Sequence, residues 1–551
     1  MLGDQKGKKL YTCFVDFQKA FDSVWHDALF RKIENKGING NFVNIIKNIY
    51  KNTKCAVKID GKTTKYFKYE KGVQQGNPLS PLLFNLFIND IFEAIKNDVP
   101  VTLDGNTTFN ALMYADDLII IATTPEGLQQ SLDGLTNYCS KWKLAVNIKK
   151  TKCMTFSKGS NVKKHVFKVN DKVVEHTNEY KYLGITINAK NCSFSPALTN
   201  LSTKATRAIY ALTSKLPIYS APVKTMLKLF DSCIAPILTY GSEVWAPFID
   251  HDWIKWDSSP IEKVHTQFLK RILGVNRSST NVMARSELGR HSLQERILKN
   301  NITYIRDVSC KNPSTLVYQA LKYEESLSYK RNSIFSLFLR HEPNIHLNPD
   351  QENPDIPGIS TVQNSPLKKI ESLLFPKIGR VVRNCFDIEW KNHLATFPKA
   401  DTFSQFKDTV KYEKYLCEIR NRKHRVFMTK LRLSDHCLTI EEGRHKRPVI
   451  PRQERFCPHC PNIVESEKHF LINCIAYDRT NLFQKVAETY PRFGQLNEDS
   501  KFIFLMSQEN QLLTQEIARS IHSWMTKRLD YKAQQQDLVQ YIIIFASTDV
   551  I

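Results

Sequence analysis

The stretch Tyr114-Ala115-Asp116-Asp117 lies between two apolar runs, Ala111-Leu112-Met113 and Leu118-Ile119-Ile120-Ile121. Strand-forming residues on both sides of a short acidic tip predict a β-hairpin. Two adjacent carboxylates at such a tip repel each other, and a nearby cation would relieve that repulsion. Because Asp is also a common turn residue, an ordinary exposed turn is the alternative interpretation.

A third acidic residue, Asp16, follows the β-favouring run Tyr11 to Val15, and a helical pattern comes after it. If Asp16 ends a strand beside the hairpin, the three carboxylates form an oxygen-rich site that suits Mg²⁺. Two Mg²⁺ ions about 3.5–4 Å apart can stabilise the attacking and leaving oxygens of a phosphoryl transfer. The sequence therefore predicts a catalytic site for two Mg²⁺ ions at Asp16, Asp116 and Asp117.

Three segments, in this order, resemble successive motifs of reverse transcriptase palms: the Asp16 segment, Gln75-Gly76-Asn77-Pro78-Leu79-Ser80-Pro81, and Tyr114 to Asp117. The pattern Asp16-x-x-Lys19-Ala20-Phe21-Asp22-x-Val24 is similar to the non-LTR (LINE-type) retrotransposon enzymes in particular. Two weaker matches follow, Asn147 to Lys152 and Tyr182-Leu183-Gly184. The resemblance implies an α+β fold: a polymerase palm with an antiparallel sheet and helices, then a helical thumb-like domain.

The resemblance also implies roles for single residues. Phe21 would pack against the sugar of the incoming nucleotide and exclude a 2′-hydroxyl, with core packing as the alternative. Lys150 would face the nucleotide's phosphates and neutralise charge or donate a proton, with a solvated surface lysine as the alternative. The turn Tyr182-Leu183-Gly184 would grip the primer strand. The other residues implied in metal, nucleotide or template binding are Phe17, through its carbonyl, Gln75, Gly76, Pro78 and Tyr114.

The composition favours a polyanionic partner. The 551 residues carry a net charge of +23, for which nucleic acid is the usual explanation. An odd count of 13 cysteines, mostly in apolar segments, indicates reduced thiols. We see neither an N-terminal signal peptide nor an apolar run of about 20 residues. We therefore expect a nuclear or cytoplasmic protein that is not secreted and has no membrane partner. Its partners would be an RNA template, a DNA primer or target, and deoxynucleoside triphosphates.

Near the C-terminus, Cys457, Cys460, His469 and Cys474 have the spacing C-x2-C-x8-H-x4-C. Three thiolates and one imidazole can complete the tetrahedral shell of one structural Zn²⁺. Buried thiols without a metal are the alternative. The pattern resembles the cysteine-histidine motif that follows the polymerase in many LINE-type proteins, and basic residues precede it.

We predict five segments: a palm over 1–190, a helical thumb-like domain over 191–335, a linker and helical connector over 336–425, a zinc module with a basic flank over 426–490, and C-terminal helices over 491–551. The Pro- and Asn-rich residues 340–366 predict the linker itself. Within the palm, Leu79 to Ile95 predicts one helix. The stripe Phe42, Ile45, Ile46 and Ile49 predicts a second helix that packs into the core.

These observations together predict an RNA-directed DNA polymerase of a non-LTR retrotransposon. The first palm motif begins close to Met1, so we expect the fingers to be largely missing and polymerase activity to be weak or absent. The alternative is a non-catalytic remnant that binds RNA or DNA. The variant Asp116→Asn distinguishes the two hypotheses. If the chain is a polymerase, the variant loses synthesis and keeps binding; if the chain is a binding remnant, there is no synthesis to lose.

Overall fold

The computed structural model describes residues 9–103, 107–157, 165–189, 193–216, 221–249, 251–327, 333–345, 367, 370 and 378–548. Most of the predicted linker, 346–366, lies outside the described residues. The chain folds into two compact units, Met1–Ala197 with Lys311–Ser326, and Leu198–Cys310 with Leu327–Ile551. The finer division into five segments stays a prediction.

The first unit is built on a six-stranded sheet, whose strands in spatial order are Phe167–Val169 (β11), Lys172–His176 (β12), Lys152–Ser157 (β10), Lys9–Val15 (β1), Asp117–Ala122 (β9) and Ala111–Tyr114 (β8). Strand β1 lies in its interior and pairs antiparallel with both β9 and β10. Short two-stranded pairs form outside this sheet. The strands are β1 Lys9–Val15, β2 Lys54–Cys55, β3 Lys58–Ile59, β4 Lys62–Thr63, β5 Phe67–Lys68, β6 Val101–Thr102, β7 Thr108–Phe109, β8 Ala111–Tyr114, β9 Asp117–Ala122, β10 Lys152–Ser157, β11 Phe167–Val169, β12 Lys172–His176, β13 Glu179–Tyr182 and β14 Ile185–Asn188.

Both faces of β1 are covered, because alternate side chains of a strand point to opposite faces of its sheet. Cys13 and Val15 belong to the larger core beneath the helices. Phe14 points the other way and packs with Ile119 and Ile121 of β9. Burying one such aromatic side chain contributes about 1.5–3 kcal/mol. The strand that ends at Asp16 is therefore fixed on both sides.

Helices pack on one face of the sheet, and the predicted helix from Leu79 to Ile95 is interrupted. It ends at Ile88, and a short helix follows after Asp90. The Asp90 carboxylate accepts hydrogen bonds from Lys32 Nζ and Tyr138 Oη, both at 2.6 Å. The helices of this unit are His26–Asn35, Asn41–Asn52, Ser80–Ile88, Ile91–Ala94, Pro125–Trp142 and Leu316–Ser326, with a 3₁₀ turn at Phe21–Ser23.

The apolar stripe on the helix Asn41–Asn52 is only partly buried. Ile46 lies in the core as predicted, beside Val43. Phe42, Ile45 and Ile49 are 54%, 57% and 42% exposed, so core packing was the wrong interpretation for these three residues. The helix carries two neighbouring apolar stripes, and periodicity alone does not show which one faces the core.

The second unit is mostly helical. Its central helix, Pro260–Leu273, begins at Ser259, whose side chain accepts from the Glu262 backbone amide, and ends at Gly274 with φ +75°. A Cβ at Gly274 would lie 2.6 Å from a Val426 methyl carbon, which is why this closely packed end requires glycine. Across the described ranges, we find no helix apolar and long enough to span a bilayer.

The remaining helices lie mainly in this second unit and carry most of its buried apolar residues. They are Ser195–Lys215, Val223–Leu229, Ala235–Leu238, Ser242–Trp245, Trp253–Asp257, Pro260–Leu273, Asn281–Glu287, Leu293–Ser309, Ile334–Ile345, Ile378–Leu394, Ala400–Phe403, Tyr415–Glu418, Arg422–Arg432, Thr439–His445, Thr480–Thr489, Glu498–Met506 and Gln511–Thr548. Single π turns occur at Phe230–Ile234 and His469–Asn473. Short 3₁₀ turns occur at Ala246–Phe248, Arg452–Glu454 and Pro491–Gln495.

Candidate active site and metal centre

The predicted hairpin is confirmed. Strands β8 and β9 pair antiparallel, with Tyr114 opposite Asp117 and a two-residue turn at Ala115-Asp116. Ala115 has φ +53°, the left-handed conformation that a turn this tight demands. The hairpin therefore presents Asp116 at its tip and Asp117 at the first position of a strand.

Asp16 lies beside that tip. The β1–β9 register pairs Val15 with Leu118, so the next step along both strands sets Asp16 against Asp117. Two sequence-distant carboxylates are thus brought to one edge of the sheet by strand pairing. This is the arrangement that the apolar run before Asp16 predicted.

The negative charges of the three carboxylates oppose one another. Partial burial raises the pKa of Asp117 above its usual range, and the charges of Asp116 and Asp16 raise it further. Burial and the Asp117 charge also raise the pKa of Tyr182 to about 12. The three carboxylates thus form the kind of donor set that a hard divalent cation stabilises.

Two residues of the 147–151 turn hold Asp16. Asn147 Nδ2 donates to Asp16 Oδ2 at 2.9 Å, and the Thr151 hydroxyl accepts from the Asp16 backbone amide at 3.2 Å. Sequence reasoning singled out Lys150 in this turn and missed Asn147. Lys150 Nζ lies 3.9 Å from Asp16 Oδ2 on a side chain that is 71% exposed. An exposed ion pair of this length contributes little stability, which leaves the lysine free to move toward another anion.

Two aromatic residues with predicted roles follow Asp16 in the chain: Phe17, and Phe21, which is predicted to contact the sugar. Phe17 pairs with Val146 through an isolated bridge, and its ring is buried in the core. Phe21 is half-buried and stacks on Phe84, with ring centroids 4.4 Å apart. Phe21 therefore packs partly in the core, and the role of its ring in excluding a 2′-hydroxyl stays a prediction.

The loop that contains Gln75, Gly76 and Pro78 is anchored against the Asp16 segment. Val73 N donates to Phe21 O at 2.8 Å, and Gln75 Nε2 donates to Asp22 Oδ1 at 3.3 Å. Gly76 has φ +88°, and a Cβ there would meet no atom within 4 Å. The backbone at Gly76 is therefore open to a ligand. Pro78 lies just before the helix Ser80–Ile88.

The predicted primer-gripping turn is a tight hairpin between β13 and β14. Tyr182 pairs with Ile185, and Leu183 and Gly184 form the turn with φ of +45° and +86°. Tyr182 Oη donates to the Asp117 backbone carbonyl at 3.3 Å. Tyr182 and Tyr180 also pack against Phe14 of β1. These contacts join this hairpin to the acidic edge of the sheet.

Cys457, Cys460, His469 and Cys474 converge as their spacing predicted. Their ligand atoms all lie within 4.8 Å of one another, and no other group of three or more potential ligands among the described residues converges to this degree. Cys474 Sγ lies 3.7 Å from Cys457 Sγ and 3.9 Å from Cys460 Sγ. Sulfurs about 2.3 Å from a tetrahedral Zn²⁺ would be about 3.8 Å apart.

The chemistry of these four side chains also fits a metal. His469 is buried, and within the described part of the chain its Nε2 has no hydrogen-bond partner. Burial raises the pKa of Cys474 to about 12 and lowers that of His469. A buried cluster that disfavours thiolates on its own is stabilised by a divalent cation, which requires deprotonated ligands.

Residues 2–187 match the family model described as reverse transcriptase (RNA-dependent DNA polymerase). The chain is 28% identical over 250 residues to the RNA-directed DNA polymerase from the mobile element jockey of Drosophila funebris, covering 43% of this chain and 26% of that protein. It is 32% identical over 192 residues to the retrovirus-related Pol polyprotein of a type-2 retrotransposable element of Drosophila melanogaster, covering 33% of this chain and 18% of that protein. The chain thus spans about a quarter or less of the length of these two relatives.

Among solved structures, telomerase from Candida tropicalis with a telomeric RNA fragment is 13% identical, with a TM-score of 0.28, over 67% of this chain and 50% of that chain. A TM-score this low does not establish a shared fold. The region matched by the family model contains the motifs at Asp16, Gln75 and Tyr114. Over residues 2–187 the chain is therefore similar to reverse transcriptases, and the relatives it matches are an RNA-directed DNA polymerase of a mobile element and a Pol polyprotein of a retrotransposable element, which supports a LINE-type reverse transcriptase.

Proposed function

We propose that this chain catalyses RNA-directed DNA synthesis, at a low rate, at the edge of the sheet formed by Asp16, Asp116 and Asp117. The observation that carries the proposal is the β1–β9 register, which places Asp16 against Asp117 directly beside the hairpin tip. Two Mg²⁺ ions held by these carboxylates, with the Phe17 carbonyl as a further oxygen ligand, would supply Lewis-acid stabilisation of the attacking and leaving oxygens.

The residues of the chain would act mainly through position and charge. Asn147 fixes one oxygen of Asp16 and so fixes the direction of its free lone pairs. Lys150, exposed and held only by a long ion pair, can reach the phosphates of an incoming nucleotide and neutralise developing charge. Preorganised charges of this kind stabilise a phosphoryl-transfer transition state without further rearrangement.

The surrounding elements support binding of nucleotide, template and primer. The open backbone at Gly76, with Gln75 and Pro78 beside it, would lie under the template base and the nucleotide. Tyr114 is 68% exposed at the end of β8, next to the acidic tip. The turn Tyr182-Leu183-Gly184 would hold the primer strand toward Asp117. The helices after residue 191 would serve as the thumb.

The short strands between Lys54 and Lys68 form an exposed basic arm. Its lysines are Lys54, Lys58, Lys62, Lys65 and Lys68, all exposed, and the described part of the chain offers none of them a carboxylate within 4 Å. Tyr66 and Phe67 on the same arm are 72% and 53% exposed. Lysines beside exposed aromatic rings are typical of surfaces that bind single-stranded nucleic acid.

This arm and the Cys-His group favour a second candidate function, nucleic-acid binding without synthesis. We propose that Cys457, Cys460, His469 and Cys474 hold one structural Zn²⁺ that orders the basic region around it. We also propose that the protein acts in the nucleus or cytoplasm.

Primer extension and RNA binding, measured in parallel, separate the two candidates. Asp116→Asn should abolish extension and leave RNA affinity within about twofold, because it removes a metal ligand and no phosphate contact. A wild-type chain that binds RNA and never extends a primer would support the binding function instead.

A further inference from the structure

A cavity of about 380 Å³ lies within the second unit, apart from the acidic edge and the Cys-His group. Four cationic side chains and two carboxylates line it: Arg290, Arg296, Lys299 and Arg383, with Asp231 and Glu295. Leu227 and Phe230 supply an apolar wall. A volume near 380 Å³ falls in the range of about 300–1,000 Å³ that small-molecule sites occupy.

Two of the four cations are already neutralised. Arg290 donates two hydrogen bonds to the carboxylate of Asp231, and Lys299 pairs with Glu295 at 2.6 Å. A carboxylate held by the two-pronged contact of an arginine has little capacity left for a second cation. The cavity therefore holds more positive charge than its own carboxylates satisfy.

The other two cations are available to an anion. Arg296 Nη1 lies 4.0 Å from the Asp231 carboxylate and donates one long hydrogen bond, at 3.5 Å, to the Asp231 backbone carbonyl, so its Nη2 and Nε groups remain for a ligand. Arg383 donates one nitrogen, Nη2, to the backbone carbonyls of Gly289 and Val410, both at 3.2 Å, and has no carboxylate within 4 Å in the described part of the chain. A guanidinium fixed at one nitrogen keeps its remaining N–H groups for a ligand, and its planar geometry suits phosphate.

A buried imidazole on the same cavity points independently to a ligand. His265 is 2% exposed, lines the cavity, and has no hydrogen-bond partner for Nε2 among the residues that the structure describes. Its Nδ1 lies 3.0 Å from a carboxylate oxygen of Glu262, and Arg285 donates to that same oxygen. The Glu262 carboxylate therefore fixes Nδ1 as the donor and leaves Nε2 for another group. An orphaned polar atom at this depth is costly unless a ligand or water satisfies it.

We propose that this cavity binds one nucleotide unit through its phosphate, which lies between Arg296, Arg383 and His265 Nε2. The Phe230 ring stacks on His265, with centroids 5.2 Å apart, so the apolar wall and the polar atom adjoin. A phosphate monoester can both accept from the guanidinium groups and share a proton with an imidazole nitrogen. The proposal does not depend on the polymerase chemistry of the first unit.

Calorimetric titration of the full chain with adenosine 5′-monophosphate tests the site, in buffer without added divalent cations so that the acidic edge does not hold the nucleotide. We expect the monophosphate to bind at least tenfold more tightly than adenosine. The double variant Arg296→Gln/Arg383→Gln should lose at least tenfold in affinity. Equal binding of nucleotide and nucleoside, or no binding of either, would overturn the proposal.

The matched control is Lys263→Gln/Arg380→Gln, which removes the same charge from the helices that carry His265 and Arg383 without touching the cavity lining. The control should bind the monophosphate with an affinity within twofold of the wild type. If both double variants lose affinity equally, binding depends on the overall positive charge of the protein, and the proposed site is refuted. His265→Asn keeps a donor near Glu262 and removes Nε2. It should weaken binding of the monophosphate, measured at a temperature well below the melting temperature of the variant.

Competition with ten-nucleotide RNAs identifies the source of the nucleotide. A 5′-phosphorylated RNA that displaces the monophosphate at lower concentration than its 5′-hydroxyl counterpart would assign the cavity to a strand end. Displacement by neither RNA would assign it to free nucleotide. Asp116→Asn should leave the titration unchanged, so failure of this site and failure of the polymerase proposal remain distinguishable.

Discussion

The side-chain amide of Asn147 donates to Oδ2 of Asp16 at 2.9 Å, and the backbone amide of Asn147 donates to the Asp16 carbonyl at 2.7 Å. One residue thus fixes both the backbone and the carboxylate of the first acid. The two partners are 131 positions apart in the chain and meet because the 147–151 turn closes over the end of β1.

We predict that Asn147→Ala slows primer extension and leaves RNA binding unchanged, because Asp16 loses the group that orients it. A hydrogen bond to a charged group contributes about 1.5–3 kcal/mol, which corresponds to roughly 10–100-fold in rate. Steady-state extension rates at saturating nucleotide measure the effect. Asn137→Ala, on the exposed side of the helix Pro125–Trp142, is the control. Equal rates for the two variants would contradict the positioning role.

We predict that Asp117→Asn abolishes synthesis and raises the melting temperature in metal-free buffer. The pKa of Asp117 is raised in the folded protein by burial and by its acidic neighbours, so its charged form opposes folding above pH 4. Removing that charge should raise the melting temperature by about 1–2 °C. Adding Mg²⁺ should stabilise the wild type and not the variant. Scanning calorimetry with and without Mg²⁺ measures both changes in melting temperature. An unchanged or lower melting temperature of the variant in metal-free buffer would contradict the repulsion between Asp117 and its acidic neighbours.

We predict that Cys460→Ser lowers the zinc content of the purified protein and destabilises the second unit, because three ligands no longer complete the shell. Atomic absorption and thermal unfolding measure the two effects. Cys417→Ser, at an exposed cysteine of the same unit, should change neither. Full zinc content in the Cys460 variant would refute the assignment of this ligand.

We predict a pH-dependent cost for Glu262→Gln. Burial raises the pKa of Glu262, but His265 and Arg285 outweigh it and lower the pKa to about 2. The ionised carboxylate therefore stabilises the fold above pH 4.5, and this contribution is lost as the pH falls from 4.5 toward 2. Breaking a buried pair costs about 3–5 kcal/mol.

Urea unfolding midpoints of the wild type and Glu262→Gln, compared at pH 7 and pH 3, test this dependence. The difference between the two proteins should be large at pH 7 and smaller at pH 3. A deficit of the same size at both pH values would show that packing, and not charge, stabilises the Glu262 site.

Local patterns predicted the parts of the site that short segments determine. Apolar runs around Asp116 predicted the β8–β9 hairpin, and the C-x2-C-x8-H-x4-C spacing predicted which four side chains converge. Asn147 was missed as a positioning residue because its partner is distant in sequence. The break after Ile88 was missed because Lys32 and Tyr138 bind Asp90 from other helices.

The cavity around His265 was beyond sequence reasoning for a similar reason. Its lining comes from several helices, and the spacing of Arg296 and Arg383 carries no motif. The exposed stripe Phe42, Ile45 and Ile49 shows the opposite limit: helical periodicity was correctly recognised, but which face is buried depends on tertiary packing.

The most direct test of the central claim is Mg²⁺-dependent incorporation on a poly(rA)/oligo(dT) template by the full chain, alongside Asp116→Asn. The account predicts incorporation that requires Mg²⁺ and disappears in the variant, while both proteins bind the template equally. Template binding by the wild-type chain without Mg²⁺-dependent incorporation, or incorporation that persists in Asp116→Asn, would contradict it.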